Sequence, residues 1–268
     1  MIRTRFFMIS VGLSLWCGTA FSETCKTLVV TGSPSSPPSS WVDDQKLVGA
    51  SIEFIEKIAL AAGVKKVEKK VFETWNEALE AMQLGQADVI VSTALSPERE
   101  RYLNFIRPSY ASHNLYVVVR KGESFPLLKY DDLLGRRGAA GLGEVYGHGA
   151  FAQFVNKKLS LVRSPTFLGS IELLFNNQVD YILGYENDVN STIFTNNLIG
   201  KVDIVLTFPY NAETYIALSK RSKCSSLASS LSAEIKKANK VNLYYQLAKK
   251  YLGVFEQDTS DVEQDIAK

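Results

Sequence analysis

Between residues 28 and 92 the chain changes hydrophobic period from one segment to the next, and that alternation constrains its fold more than any other feature. Leu28-Val29-Val30 is a short apolar run of strand type. From Ser51 to Gly63, Ile55, Ile58, Ala59 and Ala62 recur on one helical face, and Gly63 stands where such a helix stops. Lys65 to Phe72 alternates as a strand does. Thr74 then stands as a cap before Trp75, Ala78, Leu79 and Met82, spaced i, i+3, i+4 and i+7, and Gly85 closes that helix. Ala87 to Ser92 is strand-like again. Strand, helix, strand, helix, strand at this spacing predicts parallel pairing and an α/β sheet.

A second unit of similar make-up follows. Asn114 to Arg120 reads as a strand, and Leu127 to Gly135 as a loop holding a short helix at 130–134. Gly138 to Gly143 is a glycine- and alanine-rich strand end, with a helix from about Tyr146 to Lys158. Leu168 to Asn176 is helical with Ile171, Leu174 and Phe175 inward. Val179 to Leu183 is a strand, Glu186 to Phe194 a helix and Val202 to Leu206 a strand. Tyr215 to Ser219 is one more strand, before amphipathic helices at Leu227–Ala238 and Asn242–Leu252. A Ser- and Pro-rich loop, Gly32 to Ser40, follows the first strand, a common place for function and for plain turn chemistry alike. The polar, acidic tail after Gly253 is expected to be loose.

The N-terminus has the form of an export signal. Arg3 and Arg5 precede an apolar core, Phe6 to Trp16, too short to span a bilayer, and Ala20-Phe21-Ser22 sets small residues before a cut at Glu23. Removing residues 1–22 takes two arginines and no acid, so the formal charge falls from +2 to zero. Neither a nucleic-acid surface nor a polybasic membrane patch is implied. Cys17 leaves with the signal, and Cys25 and Cys224 remain. In an oxidising compartment that one pair predicts a disulfide; the alternative is two free thiols.

The segment from Asp88 to Tyr110 carries the first chemical hint. A strand ends in the hydroxyls of Ser92 and Thr93, then Ser96-Pro97 starts a short helix with Arg99 in its first turn. Free N–H groups beside an arginine suit a small anion such as a carboxylate, although an arginine at a helix start is often only solvated. No metal, cofactor or nucleophile constellation is evident. His113 and His148 are far apart, and Cys25 and Cys224 lack ligand spacing. Gly141-Leu142-Gly143 with Gly147 has the wrong spacing for a dinucleotide fingerprint.

Taken together, the order of elements and several motifs resemble the bacterial periplasmic solute-binding proteins of the polar-amino-acid family, across essentially the whole chain after the signal. The motifs are Gly49 through Ala59, Trp75 through Asp88, Ser96 through Tyr110, Asp131 through Gly135, Val179-Asp180, and Ile216 to Lys220. The resemblance implies two α/β lobes, each a mostly parallel sheet flanked by helices, joined by two crossover segments around a ligand cleft. One lobe would comprise residues 23–112 and 215–268, the other 113–214. It further implies a monomer in the periplasm that carries a small polar solute to the permease of an ABC importer. Alternatives are a sensory or accessory protein reporting to a membrane partner, and a dehydratase-like enzyme using Glu144 and Glu186.

The same resemblance names site residues. Arg99 matches the arginine that holds a ligand's α-carboxylate. Ser92 and Thr93 would add contacts, because Ala94 stands where a hydroxyl is usual. Trp75 matches an aromatic wall. Ser36 falls where a second aromatic is common, with Trp41 further along. In the second lobe, Gly143, Glu144 and Tyr146 replace a Gly-Thr helix start. Tyr185 falls at the ammonium-binding aspartate, with Glu186 beside it to take that role. Two acids facing the cleft would suit a cationic or amine-bearing solute.

Overall fold

A computed structural model describes residues 25–147 and 149–253, with the backbone alone for 206–211. The export signal and the tail after Gly253 lie outside the described residues. Among the described residues no helix is long and apolar enough to cross a membrane.

The first unit forms as its periodicity predicts. Strand β1 (Thr27–Thr31) leads into a small hairpin sheet, β2 (Ser35–Ser36), β3 (Ser40–Asp43) and β4 (Lys46–Val48), where the sequence suggested only a loop. Helix α1 (Ala50–Ala61) buries Ile52, Phe54, Ile55, Ile58 and Ala59. It starts at Gly49, whose φ of 123° and whose place 2.5 Å from the Ser39 carbonyl, measured from an added Cβ, leave no room for another residue. Strand β5 (Lys66–Lys69) is shorter than expected. Helix α2 (Trp75–Leu84) has the predicted caps: the Glu77 amide donates to Thr74 Oγ1 at 3.2 Å, and Gly85 is left-handed with φ 72°. Strand β6 (Val89–Ala94) follows.

Strand β7 (Leu103–Arg120) is 18 residues long, far beyond the predicted 114–120. After a 3-10 turn at Tyr130–Leu133 come β8 (Gly138–Gly141), α3 (Ala150–Lys158), β9 (Leu161–Ser164), α4 (Phe167–Phe175), β10 (Tyr181–Tyr185) and α5 (Glu186–Thr195). In α4, Ile171 and Leu174 are buried as expected, but Phe175 is 38% exposed, one residue past the buried stripe. Strand β11 (Val202–Ser219) joins what read as two strands. Helix α6 (Ala228–Lys240) and α7 (243–253) end the described chain.

The main sheet has the order β5-β1-β6-β11-β7-β10-β8-β9. Its outer pairs, β1 with β5 and β6, and β8 with β10 and β9, are parallel, whereas β7 and β11 run antiparallel to each other and to β10 and β6. Four apolar clusters split along the chain. Two draw on buried residues 28–111 and 215–247, and two on 115–202. The fold is therefore two-lobed, with β7 and β11 crossing between the lobes. Each crossing strand carries a bulge. From Ile106 to Ala111 five steps on β7 answer two on β11, and from Leu206 to Asn211 five steps on β11 answer two on β7. Pro108 sits within the first bulge, where its missing N–H costs no regular ladder bond. The predicted disulfide is formed. Cys25 and Cys224 have Cα atoms 5.1 Å apart, and both pack on the cluster that holds Leu28 and Leu231.

Candidate functional site

The strand ends of the two lobes face each other across a cleft, the usual site for a ligand in open α/β sheets. In the first lobe the end of β6 is bent. Ser92 has a positive φ of 55°, and the β6–β11 register shifts between Tyr215 and Ala217. The hydroxyls beneath stabilise the bend: the Ser92 amide donates to Tyr110 Oη at 3.0 Å, and Ser92 Oγ donates to Ser51 Oγ at 2.8 Å. The bend presents Thr93 and Ala94 to Arg99. The Arg99 amide donates to Ser96 Oγ at 3.2 Å, the predicted cap, although the helix it starts is only a 3-10 turn at Arg99–Arg101.

Arg99 is 2% exposed. Its Nη1 donates to Thr93 Oγ1 and to the Ala94 carbonyl, both at 2.9 Å. Its Nη2 crosses to the other lobe and donates to the Gly143 carbonyl at 2.8 Å. The guanidinium lies 5.4 Å from the Trp75 ring centroid, a cation–π distance. Two donors in this corner, Arg99 Nε and Trp75 Nε1, are buried with no hydrogen-bond partner. A buried unsatisfied donor costs about 1–3 kcal/mol, so the corner is short of an acceptor.

The second lobe contributes acids. Glu144 follows β8 in a tight loop and folds over Gly141, where an added Cβ would lie 2.9 Å from Glu144 Cγ. Asp188 is the third residue of α5. The Ser36 hydroxyl of the first lobe donates to its carboxylate, and Ser33 Oγ is 2.8 Å from that hydroxyl. Burial raises the Glu144 carboxyl to about 7, against the pull of Arg99, and Asp188 adds to the rise. Burial likewise raises Asp188 to about 6, opposed by the Ser36 hydrogen bond. Asn187 Nδ2 makes a further bond between the lobes, donating to Ser39 Oγ at 2.8 Å. His113, on β7, is held by burial below the usual histidine range.

Of the residues expected from sequence, Arg99, Trp75, Ser92, Ala94, Ser36, Glu144, Tyr146 and Tyr185 line the cleft. Thr93 and Gly143 stand directly behind the wall as partners of Arg99. Tyr185 donates to the Val145 carbonyl at 2.5 Å, which ties the Glu144 loop to the start of α5. Two expected residues are elsewhere. Trp41 packs edge-on against Tyr251, 5.8 Å between centroids, in the hairpin sheet. Glu186 faces away and accepts from the amide and side chain of Asn114 at 3.3 and 3.1 Å. The cleft acid on α5 is Asp188, which sequence reading passed over, as it did Asn187, Glu73 and Phe167. Asp188 had a signal: an acid in the first turn of a helix that follows a buried strand, the same context that singled out Arg99.

Residues 28–254 match the profile of the bacterial extracellular solute-binding proteins, family 3. Among curated proteins, the chain is 28% identical over 177 residues to a probable histidine-binding protein of Campylobacter jejuni, covering 65% of this chain and 66% of that one. It is 31% identical over 122 residues to the L-cystine-binding protein TcyJ of Escherichia coli K12, covering 45% of each. The matches thus span less than two thirds of these relatives. Among solved structures, a histidine kinase sensor domain described as similar to periplasmic binding proteins superposes with TM-score 0.69 at 24% identity, covering 85% of this chain and 96% of that one. At that identity the likeness concerns the fold.

Proposed function

The chain belongs to the bacterial extracellular solute-binding proteins of family 3, and on that premise we propose that it captures a small polar solute bearing a carboxylate in the interlobe cleft and delivers it to the permease of an ABC importer. The observation that carries this reading is the pair of buried, unpartnered donors, Arg99 Nε and Trp75 Nε1. A ligand carboxylate is the acceptor that corner lacks, and an arginine is the side chain suited to it. Ser92 and the Ala94 carbonyl edge complete that end of the cleft. The names of the curated relatives, a probable histidine-binding protein and an L-cystine-binding protein, fit a solute of amino-acid type.

In this reading residues 23–112 and 215–268 form one lobe, residues 113–214 the other, and the bulges in β7 and β11 are the hinge. Arg99–Gly143, Ser36–Asp188 and Asn187–Ser39 form in the closed state and break on opening. Export through the signal at residues 1–22 puts the protein in the periplasm, where the Cys25–Cys224 bridge persists. The work is binding and closure without a chemical step. Arg99 and the cleft acids bind, and no nucleophile with a base is needed.

A thermal-shift screen of the mature protein against amino acids, amines, organic acids and short peptides tests this. A solute at 100 times its dissociation constant adds about 2.7 kcal/mol. Arg99→Ala should remove the shift from any carboxylate-bearing solute. A folded, ligand-free protein that no amino acid stabilises would overturn the reading. Uptake of the same solute by cells lacking the protein tests delivery separately from binding.

A further inference from the structure

The charges lining the cleft do not balance, and their excess specifies the solute further, given that a solute binds there as proposed above. Four acidic or basic side chains reach the wall: Arg99, Glu144, Asp188 and Glu73. Glu73 is exposed and solvated at the rim. His113 is kept neutral by burial; it faces Tyr244 Oη at 3.5 Å and feels only the charge of Glu186. Arg163 is not on the wall. It is exposed, and its Nη1 donates to the main-chain carbonyls of Gly141 and Glu144 at 3.1 and 3.2 Å, not to the Glu144 carboxylate, on which its charge acts from outside the cleft. The interior therefore holds one cation, Arg99, against two acids.

Nor does Arg99 neutralise either acid by contact, since both end nitrogens are spent on Thr93, Ala94 and Gly143. Among the described residues neither Glu144 nor Asp188 forms an ion pair. Among the described residues only Ser36 donates to the Asp188 carboxylate. Where both acids are ionised, as at pH 8, lobes closing over a zwitterion of zero net charge would enclose an uncompensated negative charge, the costly case for a buried group. A carboxylate at the Arg99–Trp75 end with two cationic groups toward Glu144 and Asp188 leaves nothing unpaired.

We propose that the cleft selects a solute of net charge +1 carrying one carboxylate and two cationic groups, the smallest such molecule being an α-amino acid with a basic side chain. The apolar part of that side chain would lie along Tyr146, Tyr185 and Phe167, which line the same wall. Raised carboxyls at Glu144 and Asp188 fit the empty cleft, where one acid holds a proton that a cation displaces. Binding of a basic solute therefore releases a proton near neutral pH, and binding of a zwitterion does not.

Titration calorimetry with lysine, arginine, glutamine and cystine at pH 8 and pH 5.5 tests the inference. Lysine or arginine should bind at least tenfold tighter than glutamine or cystine at pH 8, and the preference should narrow at pH 5.5. Glu144→Gln and Asp188→Asn should each cut the preference for the basic solute over glutamine at pH 8 by tenfold or more. Should an amide variant fail to melt cooperatively, the pH series on the unaltered protein decides. Glutamine or cystine binding as tightly as lysine at pH 8 would overturn this inference and leave solute binding intact. Heat from none of the four, in protein that melts sharply, would overturn both readings.

Discussion

Removing the Cys25–Cys224 bridge should separate the stability of this protein from its ligand binding. The two cysteines are 199 residues apart in sequence, so the bond closes nearly the whole described chain into one loop. In the chain-entropy treatment a loop of that size lowers the free energy of the folded state relative to the unfolded one by about 5 kcal/mol at 25 °C. Unfolded chains that stay partly compact close loops more cheaply, so about 3–5 kcal/mol is the expected loss for a C25S/C224S double variant. For a chain of this size that corresponds to about 10 °C in melting temperature. Cys224 is 4% exposed and packs with Leu28 and Leu231, and Cys25 lies against the same cluster. Neither residue lines the cleft or sits on β7 or β11. The bridge therefore ties two sequence-distant parts of one lobe and leaves the crossing strands unrestrained. Urea denaturation followed by circular dichroism gives the stability of the double variant, and of the unaltered protein with and without reductant; titration calorimetry gives the affinity. Reductant should reproduce the variant, and the dissociation constant should stay within twofold. A stability loss under about 1 kcal/mol, or an affinity change beyond fivefold, would refute the reasoning.

The cleft acids make the ligand-free protein sensitive to pH. Glu144 and Asp188 have folded-state pKa values raised above their unfolded ones, so the folded state binds protons more tightly. Stability is then full below about pH 4 as far as these groups are concerned, and falls as pH rises toward about 7 and about 6 respectively. Melting curves from pH 4.5 to 8 should show that slope, and Glu144→Gln should flatten it; an unchanged slope would count against a buried Glu144. Gly49→Ala should cost about 2–4 kcal/mol in urea melts, because φ is 123° and the new Cβ meets the Ser39 carbonyl. Ser36→Ala removes a bond between the lobes to Asp188. It should weaken solute binding by about 1–2 kcal/mol, read in calorimetry, mainly through faster dissociation.

Much of the architecture could be read from local pattern. Thr74 and Gly85 cap α2 where the sequence placed them, and α1, α4 and α5 begin within a residue of expectation. These features depend on a few neighbouring residues, so they are encoded locally. The crossing strands were not read whole. Their middle stretches hold Pro108 and Asn114 in one and Asn211 in the other, and the bulges there break the period of two. Only pairing with a strand distant in sequence shows that each is one continuous element. The hairpin sheet at 35–48 was lost for a related reason. Its strands are only two to four residues long, too short for any period to register.

The candidate site divides in the same way. The sequence by itself determined that Arg99 would open a short helix just after a strand end bearing hydroxyls, and that Cys25 and Cys224 were the one pair available to bond; the resemblance added Trp75 as a wall, and the fold set it against Arg99. Tertiary structure alone decided which acid meets the ligand. Glu186 and Asp188 are two residues apart on α5, and a helix turns about 200° over two residues. One side chain must therefore face the crossing strand, where Asn114 holds Glu186, and the other the cleft, where Ser36 reaches Asp188. Composition cannot distinguish the two acids. The choice is made by how α5 is rotated against β7, and that rotation is set by the burial of Val189 among residues from β7, β10 and α4.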